Sequence, residues 1–237
     1  MCKKTLLTLT VLALASVTAF AASKDGVVVS QDGRMTIATK PVHSAATRTP
    51  SDDAGLVKIV DNLGAAYPKG EYWCCEGATI FGPTAASGAP EFWEAAAFTP
   101  TADHTVAKIE VAVGFVEGTN GVVLTINKDA SGVPGTVIKS FQLSGLPTFG
   151  SCCTIEKVSL SAGIPVKANT QYWIVLKTNA KESNTWAAWN VNDTDQVDPA
   201  PTAFWCSDDK GGQCSVNDKW VAGESQPGLA FAVLGSN

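Results

Sequence analysis

The sequence has little of what most enzymes and metalloproteins use. Its 237 residues include two histidines, His43 and His104, so the commonest general base and metal ligand is scarce. Gly-x-Ser-x-Gly elbows, Gly-rich dinucleotide loops and phosphate loops are missing from it. A glycosidase needs two facing carboxylates, and nothing marks out such a pair among the 22 acidic residues. We therefore predict that the protein is not an enzyme, and a glycoside-active enzyme is the least favoured alternative.

Long apolar stretches are missing after the first 21 residues, so the mature chain is not predicted to insert into a membrane. Two lysines precede an apolar stretch at residues 6–20, and a small-x-small cleavage pattern ends at Ala21. We expect residues 1–21 to be a signal peptide that is cleaved near Ala21. The mature protein is then secreted, into the periplasm or the extracellular medium.

A surplus of positive charge is also missing. Removing the two leader lysines from the 17 basic residues leaves 15 against 22 acidic ones, a net charge of −7. This balance argues against nucleic acid as a partner, because phosphate backbones are bound by basic surfaces. The predicted partner is an extracellular protein or a glycan.

Helical periodicity is absent, and short alternating stretches between turn residues dominate. In residues 105–116, apolar side chains at the odd-numbered positions 107–115 alternate with more polar ones, which predicts a strand with one face in a core. Further strands are predicted at residues 122–127, 137–143, 155–160, 172–177, 185–191, 203–206, 219–222 and 229–234. Strands at this spacing predict an all-β fold, an antiparallel β-sandwich.

The first part of the mature chain has a different composition. Residues 40–53 are rich in Ser, Thr, Ala, Pro and Asp, so residues 22–56 are predicted to form a weakly ordered tail or linker. Within this tail, residues 27–29 and 35–37 are predicted to pair across the turn at Asp32-Gly33. The sandwich domain is predicted to span residues 57–237.

Three sequence motifs resemble a known class of secreted modules. Residues 93–100 (WEAAAFTP) lead into the alternating strand, residues 129–135 give a D-x-S-G-x-P-G turn, and residues 163–176 read G-I-P-V-x-A-x-T-Q-Y-W-I-V-L. Over residues 57–235 this layout resembles the bacterial choice-of-anchor domains of the "R" type. The resemblance implies a jelly-roll-like fold and brings no catalytic residues.

The cysteines are predicted to be structural. Six of them follow the signal segment, an even set that is typical of an oxidising compartment: Cys74, Cys75, Cys152, Cys153, Cys206 and Cys214. Cys206 and Cys214 flank a polar loop, and a bridge between them would stabilise the fold by roughly 2–3 kcal/mol. The two doublets either lie in loops and cross-link to each other, which we favour, or close on themselves as adjacent-residue rings. No C-x-x-C pair exists, so redox or zinc chemistry is not predicted.

The seven tryptophans have two interpretations. Tryptophan buries a large area in a core, and an exposed indole ring can also stack on a sugar. Trp173 lies in a strongly apolar stretch and is predicted to be core. Trp73, Trp189 and Trp205 are flanked by polar or turn residues, which makes them the candidate ligand-binding residues. Trp186 and Trp189 lie three apart, so on one strand they face opposite sides, and at most one is predicted to be packed.

Residues 190–198 gather carboxylates and amides, the oxygen ligands that calcium prefers. The candidate ligands are Asn190, Asn192, Asp193, Asp195 and Asp198. The EF-hand pattern fails here, so a calcium site and a solvated acidic turn both stay open. We predict no cofactor, with calcium as the one alternative.

Three functions follow from these observations. The first is a secreted, non-catalytic β-sandwich that acts as a cell-surface or extracellular interaction or structural module. The second is a carbohydrate-binding module that uses exposed tryptophans, and the third is the glycoside-active enzyme. A convex, polar surface would favour the first function, and an exposed line of aromatic residues on a concave sheet face would favour the second. A cleft with two carboxylates at glycosidase separation would favour the third.

Overall fold

The structure, a computed structural model, is all-β, as the sequence predicts. It describes residues 27–29, 34–37, 43–45, 53–63, 71–85, 90–151, 155–192, 201–207, 218–223 and 228–237, without the side chains of residues 27–45, 71 and 73–75. Within these residues no helix has the length and apolar character needed to cross a membrane.

Sixteen strands run through the described residues, together with a short 3₁₀ helix at Ala180–Glu182. In chain order the strands are β1 (Val27–Val29), β2 (Arg34–Ile37), β3 (His43–Ala45), β4 (Val57–Asp61), β5 (Glu71–Phe81), β6 (Glu91–Phe98), β7 (His104–Val111), β8 (Val113–Glu117), β9 (Gly121–Asp129), β10 (Pro134–Ser144), β11 (Glu156–Val166), β12 (Tyr172–Lys177), β13 (Trp186–Asn192), β14 (Thr202–Ser207), β15 (Lys219–Ala222) and β16 (Phe231–Ser236).

The strands pair antiparallel in a large and a small sheet. The small sheet has the order β11-β7-β16-β4, and the twelve-stranded large sheet follows the path β1-β2-β5-β6-β12-β9-β10. Beside β6 the large sheet is extended by β14 and β15, and beside β5 by β3, β13 and β8. The sheets curl into a half-barrel, which is the sandwich-like arrangement that alternating strands favour.

The main apolar core is built from both sheets. Ile174 of β12 and Leu124 of β9 belong to one buried cluster with Ile109 of β7. The chain passes from the small sheet to the large one at Ala112, between β7 and β8. There the Ala112 N–H donates to the carbonyl of Ala230 at 3.1 Å, so the corner is fixed by the residue directly before β16.

The predicted alternation in residues 105–116 is confirmed with one shift. The odd-numbered positions 109–113 lie in the core, but before them Val106 belongs to it, where the pattern predicts Ala107. The pairing of β7 with β16 is irregular between Lys108 and Val106. An extra residue at such an irregularity reverses which side chains face the core.

The strand predicted at residues 155–160 is longer than predicted, because β11 continues through the turn-forming residues Ala162 and Gly163. Its register against β7 breaks between Ser159 and Ile164, so the additional residues form a bulge. Gly163 has φ +61°, a left-handed conformation that glycine adopts without strain. The turn residues therefore bend a strand here and do not reverse the chain.

The hairpin predicted near the start of the mature chain is confirmed, since β1 and β2 pair antiparallel with Val29 opposite Met35. β2 and β3 both pair with β5. This segment therefore adds strands to the large sheet. The next strand, β4, begins at Val57.

Candidate functional site

Three tryptophans lie together on the outer face of the large sheet. The register places Trp93 of β6 opposite Trp205 of β14, and Trp205 opposite Trp220 of β15. All three side chains are partly buried. Successive side chains of a strand point to opposite faces, and in β6 Ala96 belongs to the main core. Trp93, three positions earlier, therefore faces away from that core, and so do its cross-strand partners. We call Trp93, Trp205 and Trp220 the aromatic patch.

Two rings of the aromatic patch are stacked, and the third is tilted against them. The centroids of Trp93 and Trp205 are 3.9 Å apart with 18° between the ring planes. Trp220 lies at 6.4 Å from Trp93, tilted by 50°. Contacts of this kind add about 0.5–1.5 kcal/mol beyond the burial of the rings. The patch is therefore a preformed surface spanning three neighbouring strands.

Two groups of opposite charge border the patch. Lys177 Nζ of β12 lies 5.1 Å from the centroid of the Trp93 ring, within the range of a cation–π contact. Glu91 Oε1 accepts hydrogen bonds from Trp93 Nε1 and from Thr178 Oγ1, each at 3.1 Å. These contacts hold the Trp93 ring in place and put polar groups at the margin of an apolar surface.

The strand that carries Trp205 is held to β6 through both faces. On the outer face Trp205 stacks on Trp93, and on the opposite face Phe204 stacks on Phe92 with centroids 5.5 Å apart and ring planes 7° apart. Such pairs of opposed side chains are the unit that stabilises a sheet. The hairpin of β14 and β15 is therefore fixed where it carries two of the three patch residues.

The indole N–H groups of Trp205 and Trp220 differ from those of Trp173 and Trp189. Trp173 Nε1 donates to Asp129 Oδ1 at 2.8 Å, and Trp189 Nε1 donates to the Ala230 carbonyl at 3.0 Å. Among the described residues, no acceptor meets the N–H of Trp205 or Trp220, and neither N–H is buried without a partner. Both donors are therefore open to solvent or to a ligand.

The prediction that Trp189 is exposed is wrong. Its relative exposure is 0%, and its ring packs edge-on against Phe231 with centroids 6.1 Å apart. Trp186 is buried as well and packs against Phe81, so the prediction that at most one of the two is packed also fails. The reason is that β13 pairs with a strand on each side and both of its faces are covered.

Trp205 and Trp73, the other two candidate ligand-binding residues, differ in what the structure describes of them. Trp205 is partly buried and lies at the centre of the patch, whereas the side chain of Trp73 lies outside the described ones. Sequence reasoning missed Trp93 and Trp220 as site residues. The sequence does contain a usable signal. Trp93 lies two positions from Ala95 in β6, and Trp205 lies two positions from Ala203 in β14. In each strand a large ring and a small side chain therefore share one sheet face.

Trp173 is buried, as predicted, but on the outer face of the large sheet and not in the main core. It forms a small cluster with Ala95 and Ala203. Burial alone would raise the pKa of Asp129, yet hydrogen bonds from Trp173 Nε1 and the Gly132 N–H outweigh it and lower the pKa of this carboxyl below its ordinary value. The charged carboxylate of Asp129 therefore anchors the Trp173 ring.

A lowered pKa predicts that acid weakens this anchor. Because the folded protein binds a proton at Asp129 less readily than the unfolded chain, the charge stabilises the fold above about pH 4 and the effect is lost as the pH falls through the folded pKa. Thermal melts from about pH 5 to about pH 3 should therefore show a steeper loss of Tm for the wild type than for Asp129→Asn. Parallel losses in the two proteins would contradict this role.

The five predicted calcium ligands have two outcomes. Asn190 and Asn192 are buried side chains of β13, whereas Asp193, Asp195 and Asp198 lie outside the described residues. The described residues contain no group of three or more His, Cys, Asp or Glu side chains that could hold a metal ion. Calcium binding stays a prediction.

The cysteine predictions fall mostly outside the described side chains. Cys206 is buried at 2% exposure in β14, whereas Cys214, Cys152 and Cys153 lie outside the described residues. The backbone of Cys74-Cys75 lies within β5. The placement of this doublet in a loop is therefore wrong, because the polar residues around it do not interrupt the strand.

The geometry defines a class of protein: an antiparallel, sandwich-like β fold with a stacked tryptophan surface on one sheet. No protein-family model matches the sequence, and no curated protein matches it either. The resemblance to choice-of-anchor domains stays a prediction.

Proposed function

We propose that the chain is a secreted, non-catalytic β-sandwich module that binds carbohydrate through the aromatic patch. The observation that carries this proposal is the alignment of Trp93, Trp205 and Trp220 across three adjacent strands, with two indole N–H donors open. Indole rings offer apolar surface to the C–H groups of a sugar, and their N–H groups donate to its hydroxyls. A mixed apolar and polar surface of this kind suits a saccharide.

The position of the patch supports binding over catalysis. It lies on the outer face of a sheet, on rigid strands that stack through both faces. Sites on strands hold their geometry better than sites on loops, which suits a ligand that is recognised without rearrangement. The nearest carboxylate, Glu91, is engaged by Trp93 and Thr178. Its role is to position Trp93.

A disulfide framework completes the proposal. Cys206 is buried directly after Trp205, and the Asp218 N–H donates to its carbonyl at 2.9 Å. The polar loop thus leaves and rejoins the sheet at Cys206, and Cys214 lies within that loop in sequence. We propose that these two cysteines form a disulfide bridge. Secretion, a jelly-roll-like topology and bridges between Cys74-Cys75 and Cys152-Cys153 belong to the same proposal.

The direct test is affinity electrophoresis of the protein against a panel of soluble polysaccharides. The wild type should be retarded by at least one of them, and Trp220→Ala should weaken that binding by tenfold or more, the order of effect that removal of a buried anchor has. Trp220→Phe should fall between the two, because it keeps an aromatic ring and loses the N–H donor. Trp220 is the residue of choice because it lies at the end of the stack, so its loss leaves the Trp93–Trp205 pair intact.

The matched control is Val137→Ala, at an exposed apolar residue of β10 on the same sheet. This variant should bind like the wild type. The carbohydrate proposal fails if no polysaccharide retards the wild type, or if Trp220→Ala and Val137→Ala bind equally well.

A further inference from the structure

A second group of side chains, away from the aromatic patch, holds an amine between two carboxylates. Lys108 Nζ of β7 lies 2.7 Å from Asp53 Oδ1 and 3.0 Å from Glu110 Oε1. The three side chains are 6%, 21% and 0% exposed, respectively. Lys157 Nζ stands 3.9 Å from the same Glu110 oxygen, so the charges of the four groups sum to zero.

The inner part of this group, Lys108 and Glu110, is buried away from water. Lys108 and Glu110 are two residues apart on one strand and share the outer face of the small sheet. Opposite them on β16 lie Leu234 and Ala232, both almost fully buried and part of an apolar cluster. In such surroundings a charge is costly unless an opposite charge pairs with it.

The resting group is an ion pair. Burial alone would lower the pKa of Lys108, but hydrogen bonds and charge attraction from Asp53 and Glu110 outweigh burial and raise it. The Lys108 ammonium is thus held in contact with the carboxylates of Asp53, before β4, and Glu110, in β7. Asp53 lies at the exposed margin of this group, and Glu110 lies at its buried end.

We propose that Lys108 and Asp53 condense to an intramolecular amide, with Glu110 as the catalytic base. The ammonium passes one proton to the Asp53 carboxylate, which gives a neutral amine and a carboxylic acid. Nζ attacks Cγ of Asp53, and Glu110 takes a second proton from nitrogen and returns it to the departing hydroxyl. One N–C bond forms, one C–O bond breaks, one water leaves, and nothing is oxidised or reduced.

The distances fit this reaction. Since Nζ is 2.7 Å from Oδ1 and a carboxyl C–O bond adds about 1.2 Å, Cγ lies no further than about 3.9 Å from the amine. That is close to the separation of about 3–3.5 Å at which bound groups react. Glu110 Oε1, at 3.0 Å from the same nitrogen, is within the reach of a general base.

The product would be a covalent staple. Asp53 and Lys108 are 55 positions apart, and the amide would tie the turn before β4 to β7. Among the described strands, β4 pairs only with β16, at the edge of the small sheet. A cross-link of this span restricts the unfolded chain much as a disulfide does, and it persists under reducing conditions.

The test is the intact mass of the full chain after reduction and alkylation of its cysteines. The wild type should be lighter than its sequence by the mass of one water. Trypsin should release residues 49–58 joined to residues 70–128, because an acylated Lys108 is no longer cleaved. This joined peptide separates the amide from a dehydration elsewhere, which would leave the two peptides apart.

Three variants test the assigned roles. Asp53→Ala removes the electrophile, Lys108→Arg keeps the charge without an acylable amine, and Glu110→Gln removes the base. Each should be recovered at its full sequence mass, without the joined peptide. A wild type at full mass would overturn the proposal, and a lost water that persists in Glu110→Gln would overturn the catalytic role of Glu110.

Discussion

Replacing Trp189 with alanine is expected to lower the free energy of unfolding by about 3–5 kcal/mol, the usual cost of deleting a fully buried tryptophan. The ring has no exposed surface, meets Phe231 edge-on and donates its N–H to the Ala230 carbonyl. Its loss would leave a cavity in the main core and an acceptor without its donor. Urea denaturation of the variant measures this change directly.

Trp220→Ala is the natural comparison for that measurement. Trp220 is partly buried and lies on β15, which among the described strands pairs with β14 alone, so its loss should cost less than about 2 kcal/mol. The roles should reverse in a binding assay, where Trp220 matters and Trp189 acts only through folding. Equal stability losses in the two variants would contradict the burial that separates these residues.

Replacing Gly118 with alanine is expected to cost at least about 3 kcal/mol, because two penalties combine. Gly118 has φ +82°, where a side chain is strained, and an added Cβ would collide with the carbonyl oxygen of Asn184. Asn184 in turn accepts hydrogen bonds from the N–H and hydroxyl of Thr119. The substitution would therefore separate two loops that lie against each other, and chemical denaturation would report the loss.

Gly132→Ala is a matched control for the steric part of this effect. Gly132 has φ +88° with nothing within 4 Å of an added Cβ, so only the conformational penalty, about 1 kcal/mol, applies. The difference between the two variants isolates the contact with Asn184. Equal losses would show that this contact contributes nothing.

Alternation is the clearest strand signal in the sequence, although two strands buried on both faces, β12 and β13, were also predicted. Alternation located β7 and β8, because one side of this chain segment meets the core. β6 was not predicted, since it is buried on both faces near its centre and carries three consecutive alanines, so no period of two is visible. β5 was missed for a similar reason: Tyr72, Ala78 and Thr79 are all buried in it, and polar residues interrupt the pattern.

The candidate sites could not be assembled from sequence spacing. Trp93 and Trp205 are brought together by the pairing of β6 with β14, strands more than one hundred positions apart in the chain, as the numbers of these two residues show. Asp53 meets Lys108 across 55 positions. Flanking residues alone suggested exposure for Trp189 as well as for Trp205. Tertiary packing separates the two, because β13 is covered on both faces and β14 is not.

The most direct test of carbohydrate binding at the aromatic patch follows the seven indole N–H signals in a proton–nitrogen NMR spectrum. They are assigned by single tryptophan substitutions and recorded while a polysaccharide that retards the wild type is added. The signals of Trp205 and Trp220 should shift in proportion to saturation, whereas those of Trp173 and Trp189, which already have acceptors, should stay in place. Saturation without any shift at Trp205 and Trp220 would contradict the assignment of the patch as the binding site.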